Sequence, residues 1–475
     1  MIGYLLGAIL MTEAALLLVP TAVALGYGES ITPFLITIGI LIAISLPNII
    51  FKPKDKRIFA REGFVTVAAG WILMSAFGAL PFVLDGAIPS YVDAFFETAS
   101  GLTTTGATIL SEIESLPRGV LFWRSLTHWI GGMGVLVFVL AVLPSANGQT
   151  MHLMRAEVPG PTKGKLVPKM RHTALILYGI YVALTVAMTI ALLICRMPLY
   201  DAVVNSFATA GTGGFAVLNN SIAGYNSAAI EWVVAVFMLI FGINFNLFFF
   251  IIVGKIKDVF QNEELKTYLI ICGVATAIIS VNTYHVFNNL HDSIRSAFFQ
   301  VTSIMSTAGF STADFNLWPQ LSRSIIVILM FIGACAGSTA GGLKISRVLI
   351  LLKSVFYEIR RMLRPKSVNV VRLDGEVVSN ETVHSATRYF VVYIAIMLSS
   401  FLLISIDNFS FETNFTAVIT CLNNVGPGLD VVGPVGNFSG FSIFSKIVLS
   451  LTMLIGRLEI MPMIILFSPF AWKKR

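Results

Sequence analysis

The segment Thr103 to Leu110 reads TTTGATIL and follows AFFETASGL, an amphipathic run too short to cross a bilayer. Hydroxyls and a glycine in this order can supply oxygen ligands. Glycine frees the backbone from its usual dihedral limits, so loop carbonyls can replace the water around a dehydrated cation. The pattern recurs at Ala297 to Phe310, AFFQVTSIMSTAGF, which keeps Ala-Phe-Phe, a serine (Ser100, Ser303), a threonine (Thr104, Thr307) and the glycine (Gly106, Gly309) in register. With Ala94 to Gly106 as a ruler, two more copies emerge: Ala202 to Gly214, AVVNSFATAGTGG, and Asn414 to Gly426, NFTAVITCLNNVG. Each copy begins beside a candidate helix cap, Asp93, Asp201, Ser296 or Thr413, and ends at a glycine. Gly/Thr-rich segments also serve as close-packed helix contacts in membranes. Four copies on one ruler favour instead a shared axis, toward which each short helix turns a C-terminal end carrying roughly half a negative elementary charge.

Further along each copy a second glycine recurs, in Ile130-Gly131, Phe241-Gly242, Ile332-Gly333 and Ile455-Gly456. Glycine in mid-helix invites a bend. In the third copy the interruption lengthens to Gly333 through Lys344, GACAGSTAGGLK, inside a long apolar run. A close-packed kink is the plainer explanation. An unwound loop beneath the filter that moves to open or close the path fits better, because irregular backbone at membrane depth is tolerated where it lines a cavity. A phosphate-binding loop is excluded, since Leu343 separates Gly342 from Lys344 and no strand precedes the segment. Arg457 and Glu459 stand inside the last apolar run, where a charge costs roughly 2.5–3.5 kcal/mol on insertion scales. They form either a structural ion pair, or Arg457 faces the path below the filter and touches the loop.

These residues need elements to hold them. Of 475 residues 56% are hydrophobic and only 12% charged, against about 25% charged in soluble domains, and the mean hydropathy is +0.84. The chain reads as an all-α integral membrane protein. Ten apolar runs approach the roughly 20 residues needed to cross a core of about 30 Å: 2–25, 32–51, 64–84, 121–143, 173–195, 229–254, 266–285, 322–352, 386–406 and 444–468. The first is expected to be a retained span, because it lacks a charged n-region and a small-residue cleavage site. Basic residues gather in alternate loops, at Lys52 to Arg61, Arg155 to Arg171, Lys255 and Lys257, Arg360 to Arg372, and Lys473 to Arg475. By the positive-inside rule both termini are expected in the cytoplasm, and the net charge of +7 reflects orientation and not nucleic-acid binding. Cys195, Cys272, Cys335 and Cys421 show no paired spacing and read as buried small hydrophobes. No converging acid, base or metal-ligand cluster suggests an enzyme.

The expected organisation is an N-terminal pair of spans, 1–62, followed by four units of span, short helix, glycine-ended loop and span: 63–172, 173–265, 266–372 and 373–475. The motifs TTTGA, RSLTHWIGGMG, STAGFSTAD, GSTAGGLKISR, NNVGPGLD and IGRLEIMP resemble the TrkH/TrkG/KtrB superfamily of potassium transporters, closest to its TrkH branch. The likeness covers residues 64–468, and the leading pair of spans matches the extra pair of that branch.

That resemblance implies four covalently linked, potassium-channel-like repeats around a pseudo-fourfold pore, a homodimer in the bacterial cytoplasmic membrane, and potassium uptake. It also implies a cytoplasmic ring of TrkA-like subunits binding nucleotides of the NAD/NADH or ATP/ADP class. The basic loops, especially Arg347 to Arg372, would serve as docking surfaces for it, or only as orientation signals. By carry-over, the potassium filter comprises Thr104, Thr105, Gly106, Thr212, Gly213, Gly214, Thr307, Ala308, Gly309, Asn424, Val425 and Gly426. The gate comprises Gly337, Ser338, Thr339, Ala340, Gly341, Gly342, Lys344 and Arg457. Potassium is the transported ion, and no organic cofactor is expected on this chain. Related plant sodium transporters can carry serine at the first filter glycine, so Gly106 favours potassium here. Asn424 and Pro427 break strict fourfold symmetry, so discrimination among potassium, rubidium and sodium is expected to be moderate. A strict sodium- or proton-coupled symporter is the alternative. It would rest on inverted repeats, whereas these units run parallel and carry no carboxylate in the filter.

Overall fold

The computed structural model describes residues 1–51, 60–134, 170–364 and 370–469. Among these the chain is helical apart from irregular connections and one short hairpin, as backbone in hydrocarbon must be when each polar group has to find a partner within its own segment. Helices α1 (Ile2–Leu16) and α2 (Leu18–Tyr27) make one apolar span, and α3 (Thr32–Ile50) returns beside it. They approach closely at Gly7, where a Cβ would lie 2.8 Å from Asn48 Cβ.

Each repeat then follows one plan. The first comprises α4 (Ala60–Gly78) with α5 (Leu80–Asp85), the short helix α6 (Tyr91–Leu102) and α7 (Arg118–Gly132). In the second, α8 (Met170–Ile194), α9 (Leu199–Ala210), α10 (Ala228–Phe241) and α11 (Phe245–Ile252) lead to the connecting α12 (Ile256–Gln261). The third has α13 (Glu263–Asn282), the turn α14 (Tyr284–Phe287), the short helix α15 (Leu290–Met305), α16 (Gln320–Ile332) and α17 (Ile345–Leu363). Strands β1 (Arg372–Leu373) and β2 (Glu376–Val377) join it to α18 (Asn380–Ile404), α19 (Phe411–Asn423), α20 (Ile443–Arg457) and α21 (Met461–Phe467).

In the second, third and fourth repeats the second span is interrupted, at or just beyond the mid-run glycines where a bend was expected. α10 and α11 meet at 90°. α16 and α17 are separated by 333–344, with positive φ at Gly333, Gly337, Gly342 and Lys344. α20 and α21 part at Glu459 and Ile460, whose φ values of 55° and 67° no helix accommodates. In the first repeat α7 ends at Gly132; the remainder of the expected span, 135–143, lies outside the described residues, as do Lys52 to Arg57, Arg155 to Lys169, Lys366 and Lys473 to Arg475.

The caps differ as well. The short helices start earlier than the expected Asp93, Asp201, Ser296 and Thr413: Ser90, Asn289 and Ser410 are the capping side chains, and Pro198 precedes α9. Asp93 has another task, pairing with Lys446 of α20 at 2.7 Å. That contact joins the fourth repeat to the first. Glu231 of α10 pairs with Arg295 of α15 at 2.7 Å, and Arg323 of α16 pairs with Glu412 of α19. At the remaining junction the Tyr200 hydroxyl donates to the Arg118 carbonyl at 2.6 Å. In every case the second span of one repeat grips the short helix of the next, and the four repeats close into a ring.

Candidate ion pathway

Each short helix runs directly into its glycine-ended strand, so the negative ends of four helix dipoles face the centre of the ring. There the backbone repeats itself closely. Thr104, Thr212, Thr307 and Asn424 are left-handed, with φ of 55°, 55°, 58° and 54°, and two residues later Gly106, Gly214, Gly309 and Gly426 are left-handed again, at 81°, 79°, 77° and 96°. The residue between them is not. Such alternation keeps a strand extended while turning its peptide planes so that successive carbonyls can share one face. A left-handed threonine costs roughly 1–2 kcal/mol, and its appearance at the same position in three repeats marks backbone held in a strained form by its surroundings.

The glycines show how tightly the strands meet. A Cβ on Gly106 would lie 2.0 Å from the Gly213 oxygen, one on Gly214 1.9 Å from the Ala308 oxygen, one on Gly309 2.3 Å from the Val425 oxygen, and one on Gly426 2.6 Å from the Thr105 oxygen. Each contact runs from one repeat to the next and the fourth returns to the first. Of the twelve residues expected as the filter, Thr105, Gly106, Gly213, Gly214, Ala308, Gly309, Val425 and Gly426 thus join in one closed ring of backbone contacts. Asn424 keeps the left-handed position while its amide donates to Thr105 Oγ1 and the Met453 carbonyl, both at 3.0 Å. Above the ring lies a cavity of about 170 Å³ into which all four glycines open.

Three residues absent from the sequence-based site support the ring from behind. Glu97, buried in α6, accepts from Arg124 Nε at 2.7 Å, from the Thr108 hydroxyl at 2.9 Å and from Ile109 N–H at 3.0 Å. Arg124 stacks over Phe215 and donates to the Ala216 carbonyl at 3.2 Å, so the ion pair fastens the strands of repeats one and two together. His128 Nδ1 lies 2.7 Å from the Gly101 carbonyl, and a Cβ on Gly213 would strike its ring at 2.3 Å. Charges within an apolar span were the available signal. Their partners, far off along the chain, were not.

Beneath the ring runs 333–344. Gly341 N–H donates to Thr307 Oγ1 at 2.8 Å, and a Cβ on Gly341 would lie 2.2 Å from the Asn423 oxygen, so the loop lies against the underside of the ring. Cys335 N–H bonds the Gly242 carbonyl at 3.1 Å, Phe245 N–H bonds the Gly337 carbonyl at 3.0 Å, and the Thr339 hydroxyl reaches the Phe241 carbonyl, which seats the loop in the break of the second repeat. Ala340 and Lys344 are buried, and the ammonium of Lys344 donates to the Ala340 carbonyl. Ser338 closes a turn onto the Cys335 carbonyl, and Gly342 lies against Gly333.

Arg457 does not pair with Glu459. Its guanidinium donates to the Thr339 carbonyl at 2.8 Å and to the carbonyls of Gly131 and Gly132 at 2.5 and 2.8 Å. Glu459 pairs instead with Arg347 at the start of α17, whose guanidinium lies 4.1 Å from the centre of the Tyr389 ring. A planar fork of donors spans carbonyls from two repeats in a way that an ammonium cannot, and it brings positive charge beneath the ring.

A ring of four short helices ending in glycine strands, with cationic groups below, defines an all-α membrane transport protein with a channel-like centre. The TrkH family of cation transport proteins matches residues 32–474. The chain is 36% identical to the Trk system potassium uptake protein TrkH of Salmonella typhimurium, over 99% of this chain and 98% of that one, and 33% identical to TrkG of Escherichia coli, again over 99% and 98%. The crystal structure of the potassium transporter TrkH from Vibrio parahaemolyticus superimposes with a TM-score of 0.89 at 31% identity, covering 99% of each chain. This chain belongs to the TrkH family, whose members are transporters and not enzymes.

Proposed function

We propose that this chain carries potassium into the cell through the ring of Thr104 to Gly106, Thr212 to Gly214, Thr307 to Gly309 and Asn424 to Gly426. The observation that carries the reading is the closed chain of glycine-to-carbonyl contacts between successive repeats, because oxygens held by neighbouring backbones can hold the spacing that a dehydrated cation needs. The names of its relatives, potassium uptake proteins, support potassium as the ion. Gly337 to Gly342, with Lys344 and Arg457, act as the gate: the loop lies across the path below the filter, and its displacement opens the way. The protein works as a homodimer in the cytoplasmic membrane with both termini inside, and a TrkA-like nucleotide-binding ring sets the state of the loop from the cytoplasm.

The reading is tested by reversal potentials in liposomes under opposed potassium and sodium gradients, comparing the wild type with Gly106→Ser. A potassium-selective wild type and a weakened preference in the variant are expected, since the new Cβ meets the Gly213 carbonyl at 2.0 Å. Driven uptake without any selective current, even with the partner present, would instead favour coupled transport.

A further inference from the structure

One side-chain oxygen holds both ends of the loop. Oε1 of Glu264, in the first turn of α13, accepts from Ala336 N–H at 2.7 Å and from Ser346 N–H at 3.1 Å. The residue is only 5% exposed, a burial that a carboxyl group tolerates when backbone donors satisfy it. Ser346 belongs to the first turn of α17, whose N–H groups have no partner within that helix and draw an anionic acceptor.

The start of α13 is in turn held by the hairpin that follows α17. Asp374 accepts from Glu263 N–H at 2.7 Å and from Asn262 Nδ2 at 3.1 Å. Asp374 and Gly375 form the two-residue turn between β1 and β2, both left-handed at φ 55° and 79°, as such a hairpin requires. Leu373 is buried against Ile350 and Ala386, so the strand is anchored while the turn reaches out to α13. Lys353 adds a second tie, donating to the Glu263 carboxylate and to the Arg372 carbonyl. Consecutive residues of α13 therefore carry the hairpin's grip, at Glu263, and the loop's, at Glu264.

We propose that hairpin 372–377 sets the position of the loop through the first turn of α13, with Asp374 and Glu264 as the positioning residues at the two ends of that link. The inference rests on the loop acting as the gate. A shift of the hairpin moves the Glu264 carboxylate and withdraws one acceptor from both loop ends together, leaving two N–H groups unpaired. Such groups are costly when buried, so the loop changes place as a unit.

Potassium flux into liposomes, measured on the purified chain without a partner, tests the link. Glu264→Ala is expected to raise basal flux about tenfold, and Glu264→Gln, whose amide oxygen still accepts both bonds, to stay within about twofold of wild type. Asp374→Ala is expected to raise flux about threefold, and combined with Glu264→Ala to add nothing further, because both act through one connection. A variant shortened within Gly337 to Gly342 serves as control. If it leaks while Glu264→Ala does not, the link is wrong and the gate stands; if it does not leak, the gate reading has failed first. Effects of Asp374→Ala and Glu264→Ala that multiply also overturn the link. Should Glu264→Ala fail to fold, unchanged flux in Asp374→Ala overturns it alone.

Discussion

Around the filter the four glycines meet the same neighbour, a carbonyl of the next repeat. One layer down, the four equivalent glycines meet different ones. A Cβ on Gly131 or Gly456 would strike the last carbonyls of the short helices, Leu102 at 1.8 Å and Leu422 at 2.0 Å. On Gly242 it would meet the Tyr268 hydroxyl at 2.3 Å, and on Gly333 the oxygen of Gly341 at 2.6 Å. The proposed filter is thus a ring of backbone contacts whose parts constrain one another, so its symmetry cannot relax at one repeat alone. In the layer below, the backbone contacts differ from repeat to repeat and single side chains, Arg457, Glu459, Arg347 and Glu264, tie them together. On the proposed function, selection of the ion would rest on the first kind of construction and control on the second.

The largest effect that would break this contrast is expected at Gly214. A Cβ there lies 1.9 Å from the Ala308 oxygen, and the residue sits at φ 79°, so Gly214→Ala both strains its own strand and displaces a carbonyl of the third repeat. Potassium preference over sodium is expected to fall by at least about tenfold, some 1.4 kcal/mol, as read by reversal potential. A variant that keeps full selectivity would mean that the ring is looser than its contacts imply and that the two layers are not constructed differently.

A smaller effect sharpens the contrast from below. Arg457→Ala leaves the carbonyls of Thr339, Gly131 and Gly132 without this donor, each worth roughly 1–3 kcal/mol when a buried group is unsatisfied. Flux is expected to rise several-fold with selectivity unchanged, and Arg457→Lys to fall between, since an ammonium cannot span carbonyls from two repeats. A change in selectivity would show that the lower layer also shapes the filter. Loss of stability with no rise in flux would reduce Arg457 to a structural tie.

How far the sequence foretold each layer follows from the same difference. The repeats were legible because glycine and threonine recur at the left-handed positions that the backbone demands, and even the departure at Asn424 keeps to the rule, asparagine being among the residues that tolerate this conformation. The helix breaks were only half legible. Gly456 is visible, yet the chain turns at Glu459 and Ile460, residues with no propensity for positive φ, because the surroundings and not the local residues fix that turn. Arg457 and Glu459 stand two apart, a spacing that does not bring side chains together on a helix, and in the fold they diverge to partners more than a hundred residues away. Glu97 and Arg124 were visible as charges in apolar surroundings, whereas Glu264 stands in the polar run QNEELK, and nothing local says whom any of them serves. Asp93 was mistaken for a cap because capping depends on where the chain enters the helix, and the chain enters at Ser90.

The smallest expected effect concerns the rim of the fourth filter segment, where a side chain supports the upper layer from outside the membrane-spanning helices. Asp430 accepts from the hydroxyls of Ser410 and Thr413 at the start of α19, tying the strand after Gly426 to the helix that precedes it. These hydrogen bonds hold its carboxyl below its ordinary value of 3.8. The sign follows: the contribution to stability is complete above the unfolded value and is lost as pH falls below about 4 toward the lower folded value. Melting of the purified protein is therefore expected to be insensitive to this group at neutral pH and to steepen in acid, and Asp430→Asn to remove that part of the acid dependence while leaving selectivity near the wild-type value. If Asp430→Asn altered selectivity at neutral pH, the ring would depend on its side-chain supports as well as on its backbone, and the division between the two layers would have to be redrawn at its outer edge.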